Sequence, residues 1–286
     1  EVGDSVLVVA VGDLVCGSAT PEGIPCLAAR TAALVRQLQP AALLLLGDLQ
    51  YETGSLDDFG AYFEPTFGEL KPVIRPVPGN HEYFTPGAAG YFDYFNGAGN
   101  DSGTAGHRAR GYYSFDVGGW HVVALNSNCR EAGGCNARSP QARWLQADLE
   151  ASRARCTIAF MHAARFSSGE HGNADELRDL WDILHRAGVE IALAGHDHSY
   201  ERFSPQDALG RSDARTGIRA FVVGTGGKGT GRILRPRPHS EVRDNRSIGV
   251  LTLALRNDSY TWRFAPVPGF TLADSGSGRC HDAPGR

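Results

Sequence analysis

Apolar residues fall into short runs of strand length, separated by stretches with helical spacing. The runs Val6–Val11, Leu43–Leu46, Val73–Val77, Thr157–Met161, Ile191–Ala194 and Ile218–Val223 predict strands. Leu177, Leu180, Trp181 and Leu184 recur at i, i+3, i+4 and i+7, one face of a helix. Asn173, with Glu176 three residues on, predicts the cap of that helix. Ser139-Pro140 predicts the start of another, carrying Trp144, Leu145 and Leu149. A third should run from about Cys26 to Leu38 and stop before Pro40.

Two segments follow a different pattern. Tyr112 to Asn126 places β-rich runs either side of Gly118-Gly119, a hairpin signal. Ile248 to Pro266 reads as a second hairpin, turning at Asn257-Asp258. Crossovers and antiparallel pieces therefore mix, and no repeat or long linker divides the chain. One domain over residues 1–286, with two β-sheets and helices outside, suits this pattern. Long loops are expected at Gly97 to Gly111 and Gly224 to Asn245. The second loop is glycine-rich and then basic, with Lys228, Arg232, Arg235, Arg237, His239 and Arg243.

Composition narrows the classes. A chain that is 42% hydrophobic and 21% charged is neither disordered nor fibrous. The net charge of -4 disfavours a nucleic-acid partner. The longest apolar run, Ala41 to Leu46, falls far short of the roughly 18 residues a spanning helix needs, so no membrane span is expected. The six cysteines include no Cys-x-x-Cys pair. Cys16 and Cys26, and Cys129 and Cys135, flank short loops and are paired locally here, leaving Cys156 for Cys280. This is one of fifteen possible pairings. Disulfides imply an oxidising compartment. The sole methionine is Met161 and the chain opens at Glu1. That start fits removal of a leader and equally an arbitrary boundary; the cysteines favour the first, hence a secreted, periplasmic or extracellular protein.

The chemistry lies at the strand ends. Gly12-Asp13, Gly47-Asp48-Leu49-Gln50-Tyr51, Gly79-Asn80-His81-Glu82, Met161-His162 and Gly195-His196-Asp197-His198 each follow an apolar strand. Strand C-termini in α/β sheets open onto a common crevice, so these groups are expected to converge. Imidazole and oxygen donors without thiolate suit two hard-to-borderline cations. Each element alone is weak, since an Asp after a strand is commonly a turn residue. The ordered series carries the signal. His107, His121, His185, His239 and His281 stand outside it, and His121 reads as a packed or edge residue. Tyr91, Phe92, Tyr94 and Phe95 read as core before substrate platform.

This series resembles the calcineurin-like metallophosphoesterases. The Gly-Asp-x-x-Tyr element narrows the resemblance to purple acid phosphatases and their secreted bacterial relatives, and Gly195 to Arg202 is very similar to the corresponding stretch there. The resemblance runs from Asp13 to about Arg202, with a weaker echo in Gly249 to Phe264. It implies an α/β fold, a four-layer α-β-β-α sandwich of two mixed β-sheets flanked by helices. It implies one metal site of Asp13, Asp48, Tyr51 and His198 holding Fe(III), with a coloured Tyr51 phenolate. It implies a second site of Asp48, Asn80, His162 and His196 taking Zn, Mn or Fe(II), with Asp48 bridging. Two such cations, about 3.5–4 Å apart, share a hydroxide that attacks phosphorus. His81 and His171 are the implied catalytic residues, His81 neutralising phosphoryl charge and protonating the leaving group. Glu82 is expected to orient His81.

The pattern departs from the family in places. Asp13-Leu14-Val15 lacks the usual glycine or histidine, and the fourth motif reads Ala159-Phe160-Met161-His162. Gly172 follows His171 where some members carry a second histidine, which suggests a pocket with one donor fewer. The expected function is hydrolysis of small phosphate esters. Small diesters such as glycerophosphodiesters are the alternative, followed by a non-catalytic metal-containing binding protein and a nuclease.

Overall fold

In the computed structural model, which describes residues 5–17 and 26–281, the first strand is buried on both faces. Glu1, the expected leader boundary, lies outside the described residues. Along the chain run β1 (Val6–Val11), α1 (Ala28–Leu38), β2 (Ala42–Leu45), α2 (Leu56–Asp58), α3 (Glu64–Phe67), β3 (Ile74–Pro76) and α4 (Ala89–Asn96). Then come β4 (Ser102–Gly103), β5 (Gly106–His107), β6 (Tyr113–Val117), β7 (Trp120–Ala124), α5 (Pro140–Ala151), β8 (Thr157–Phe160) and α6 (Arg178–Arg186). The rest is β9 (Ile191–Ala194), β10 (Tyr200–Phe203), β11 (Arg219–Val223), β12 (Ser240–Asp244), β13 (Gly249–Leu255), β14 (Ser259–Pro266) and β15 (Ser275–Arg279).

Six strands form one sheet in the order β15-β14-β13-β1-β2-β3, and seven form another in the order β12-β10-β11-β9-β8-β7-β6. Both are mixed. β1 runs parallel to β2 and antiparallel to β13, while β8 runs parallel to β7 and β9. Side chains alternate across each strand, and each face has its own burial partner. Val8 and Ala10 turn inward to meet Val122, Phe160, Leu193 and Phe221 of the other sheet. Val9 and Val11 turn outward onto Ala32 and Val35 of α1 and onto Phe59, Phe63 and Phe92. On the far side, Val123, Ala159 and Ala192 pack against Leu145 and Leu149 of α5 and Trp181 and Leu184 of α6. The expected four layers are therefore present, and Tyr91, Phe92 and Phe95 belong to the core.

Several local expectations change. Ser139 caps α5 as predicted, its Oγ accepting from Ala142 N at 3.1 Å. Asn173 does not cap α6: its Oδ1 accepts from Ser167 N at 3.1 Å, and the helix is entered through a 3-10 turn at Asp175–Leu177. The segment expected as a loop from Gly224 to Asn245 ends in β12, paired with β10. The three cysteine pairs are those predicted, with Cα separations of 6.0 Å for Cys16–Cys26, 5.1 Å for Cys129–Cys135 and 5.5 Å for Cys156–Cys280.

Candidate metal centre

The predicted metal-site residues and His81 follow the C-terminal ends of parallel strands. Asp13 leaves β1, Asp48 and Tyr51 leave β2, Asn80 and His81 leave β3, His162 leaves β8, and His196 and His198 leave β9. The first three strands belong to one sheet and the last two to the other, so the site lies where the two edges meet. The turns are sharp: Asp13, Asp48 and His196 take φ of 61°, 49° and 70°. Such left-handed backbone in side-chain-bearing residues persists only where the surroundings over-determine it. Gly47 and Gly79 leave the necessary room. A Cβ on Gly47 would stand 2.6 Å from His162 Nδ1, and one on Gly79 would fall on the Asp48 carboxylate.

Two clusters of donor atoms result. Tyr51 Oη lies 3.0 Å from Asp13 Oδ1, 3.1 Å from Asp48 Oδ2 and 3.0 Å from His198 Nε2. His162 Nε2 lies 3.1 Å from Asn80 Oδ1, 3.0 Å from His196 Nδ1 and 3.3 Å from Asp48 Oδ2. Asp48 Oδ2 is common to both. Asp48, His162 and His196 each present a ligand atom within 4.8 Å of the others. All seven residues expected as ligands are thus brought together.

The donor chemistry fits cations. One phenol proton cannot serve two carboxylate oxygens, and two facing imidazole nitrogens at 3.0 Å have room for one proton between them. Lone pairs in excess of protons, in a buried place, call for positive charge at their centres. Ionisation is perturbed across the same cluster. Burial, then Asp13 and Asp48, hold the Tyr51 phenol well above its usual range. Burial opposes a charge on His162, yet Asp48 and Asp13 push it up to about 9; burial, His162 and His171 drive His196 down to about 3. The surrounding contacts are in place as well. His162 Nδ1 donates to Leu46 O at 2.8 Å, which aims Nε2 into the site.

The expected role of Glu82 is corrected. Its carboxylate turns away from His81 and accepts backbone N–H groups of Asp48 (3.0 Å), Leu49 (2.8 Å), Gln50 (3.3 Å) and Gly79 (2.6 Å). It therefore holds the turn that carries Asp48. His81 is oriented instead by its Nδ1, 2.6 Å from Glu52 O, and its Nε2 lies 3.9 Å from Asp48 Oδ2. His171 sits exposed at the rim, its ring stacked on His196 at 3.9 Å.

Sequence reasoning missed three residues. Lys228 pairs with Glu52 and places Nζ 4.4 Å from the Tyr51 ring centroid. Asp197 accepts from Ser167 Oγ and from His171 N, the latter at 2.9 Å, and so holds the His171 loop. The place beside Gly172 is not open: Arg237 Nη2 stands 3.2 Å from where a Cβ would be. Arg237 Nε donates to Ser167 O at 3.0 Å, which fixes the guanidinium there. The only earlier signal for Lys228 and Arg237 was the basic run in the glycine-rich loop.

The chain belongs to the calcineurin-like phosphoesterase family, whose pattern matches residues 6–200. Among curated relatives it is similar to purple acid phosphatase 21 of Arabidopsis thaliana, 31% identical over 231 residues covering 76% of this chain and 51% of that protein. It is 30% identical to purple acid phosphatase 18 of the same plant over 248 residues, covering 80% of this chain and 54% of that one. The chain thus spans about half the length of these relatives. The yellow lupin purple acid phosphatase structure shares the fold, with a TM-score of 0.77, 18% identity and coverage of 96% of this chain and 53% of that chain. So does GAP50 of Plasmodium, with a TM-score of 0.68, 13% identity and coverage of 98% and 90%.

Proposed function

We propose that this protein is a binuclear metal-dependent hydrolase of small phosphate esters, acting on monoesters in the manner of the purple acid phosphatases. The observation that carries the reading is Asp48 Oδ2, shared between two donor clusters of different composition. Asp13, Asp48, Tyr51 and His198 would hold one ion, and Asp48, Asn80, His162 and His196 the other. The phenol oxygen among carboxylates favours ferric iron in the first site; the nitrogen-rich second site suits zinc, manganese or ferrous iron. Bound there, the pair would supply Lewis-acid charge for the phosphoryl oxygens and a nucleophile from water near neutral pH.

The chain's own residues complete the reaction. A carbonyl only accepts, so His81 carries its Nδ1 proton toward Glu52 O and presents Nε2 to the substrate. In its protonated form Nε2 donates to the departing oxygen as the P–O bond breaks, while water's oxygen goes to phosphorus. His171 at the rim donates to a phosphoryl oxygen. Arg237 beside Gly172 supports the monoester reading, because a cationic group there suits a dianionic phosphate better than a second alcohol. The three disulfides support secretion.

The test is turnover of p-nitrophenyl phosphate against bis(p-nitrophenyl) phosphate by the metal-loaded protein. A monoester preference of about tenfold or more in kcat/KM is expected. A diester preference would replace this reading with the phosphodiesterase one, and no turnover of either ester overturns it.

A further inference from the structure

Phe84 is 61% exposed, more than any other large apolar side chain among the described residues. It closes the 3-10 turn Glu82–Phe84 directly after His81, and its N–H donates to His81 O at 3.2 Å. Its ring meets the His81 ring edge-on, with centroids 4.8 Å apart. The turn is firmly held. Buried Glu82 precedes Phe84, and Thr85 Oγ1 donates to Thr53 O at 2.7 Å on the neighbouring segment. Leu56, 42% exposed, extends that same segment. A rigid phenyl ring in water forgoes the burial that apolar surface favours. Here it does so beside the imidazole that faces the departing oxygen.

We infer that Phe84 is a specificity-determining residue: it forms the platform on which a planar apolar leaving group, aryl or heteroaromatic, stacks while the phosphate occupies the metal centre. The inference rests on the hydrolase reading for the place of the leaving group. Position supplies the argument. A leaving oxygen within reach of His81 Nε2 carries its substituent past the ring packed against that imidazole. An aromatic face accepts any planar ring, so the platform selects for flatness and not for a hydrogen-bonding pattern.

The experiment compares wild type, Phe84→Ala and Phe84→Trp. Calorimetry measures binding of naphthylphosphonate and methylphosphonate to the metal-loaded protein, and kinetics measure hydrolysis of 2-naphthyl phosphate and glycerol 2-phosphate. The wild type should favour the naphthyl member of each pair beyond what leaving-group acidity accounts for. In Phe84→Ala the naphthyl-to-methyl affinity ratio and the naphthyl-to-glycerol kcat/KM ratio should each fall about tenfold, mostly through KM. Phe84→Trp should keep or raise both. Ratios unmoved by Phe84→Ala, whether both ligands weaken together or neither does, overturn the inference, as does equal wild-type affinity for the two phosphonates. A Phe84-dependent phosphonate ratio without turnover of any ester would instead overturn the hydrolase reading and leave the platform standing.

Discussion

Asp48 combines a left-handed backbone, burial and a carboxylate oxygen in both donor clusters. Its turn is held from beneath by Glu82, whose replacement by Ala would leave four backbone donors to find other partners. Glu82→Ala should therefore lower stability by about 2 kcal/mol or more in urea denaturation and weaken metal retention together. A loss of activity with both unchanged would return Glu82 to the role of a His81 partner. His81→Ala should retain metal while kcat for ester hydrolysis falls by about 10² to 10⁴. Unaltered kcat would remove His81 from the mechanism. Tyr51→Phe should abolish visible colour in the iron-loaded protein and leave far-UV dichroism unchanged. A colour that survives means another ligand supplies the charge-transfer band.

At the scale of elements, His121 ties three pieces together. Its Nδ1 lies 2.9 Å from Asp116 Oδ1 in β6, and its Nε2 lies 2.8 Å from Asp148 Oδ2 in α5. Burial would lower its pKa, but the bonds with Asp148 and Asp116 outweigh that and raise it. A folded pKa above the unfolded value of about 6.5 means the stabilisation is whole below pH 6.5 and fades as pH rises through the folded pKa. Urea midpoints should thus fall from about pH 6.5 upward in the wild type, and His121→Gln should flatten that slope. An unchanged slope assigns it to other groups. Such ties were not legible in the sequence, where His121 reads only as packed or at an edge. Among the legible strands, β1 and β9 are apolar on both faces, whereas β6 and β14 were marked by the Gly118-Gly119 and Asn257-Asp258 turns of their hairpins. β12 and β15 are edge strands of sequence SEVRD and SGSGR, in which Val242 is the single apolar side chain, so there is no apolar period to find. β10 buries Glu201, which earns its place through Ser168, whose N and Oγ donate to it at 2.8 and 2.5 Å. Asn173 looked like a cap because its spacing to Glu176 fits one, yet the same side chain serves the Ser167 turn better. The candidate ligands were legible because their motifs follow strand ends and match the family resemblance; Lys228 and Arg237 reach the site from a loop whose path no periodicity encodes.

For the whole molecule, two long-range links stand out. Cys156–Cys280 joins the start of β8 to the end of the described chain across 124 residues. Replacing both cysteines with Ala should cost about 4–5 kcal/mol by the chain-entropy argument, read from denaturant midpoints under oxidising conditions. A loss below about 1 kcal/mol would show that the constraint acts little on the unfolded chain. The other link is the candidate metal centre, which draws its donor residues from both sheets, so bound metal would stabilise the sandwich as a unit. Metal content per chain, by elemental analysis of wild type, Asn80→Ala, Asp13→Ala and Asp48→Ala, tests the shared carboxylate most directly. A carboxylate shared by two sites predicts about two ions in the wild type, about one in Asn80→Ala and Asp13→Ala, and almost none in Asp48→Ala. Two ions retained without the Asp48 carboxylate would contradict it.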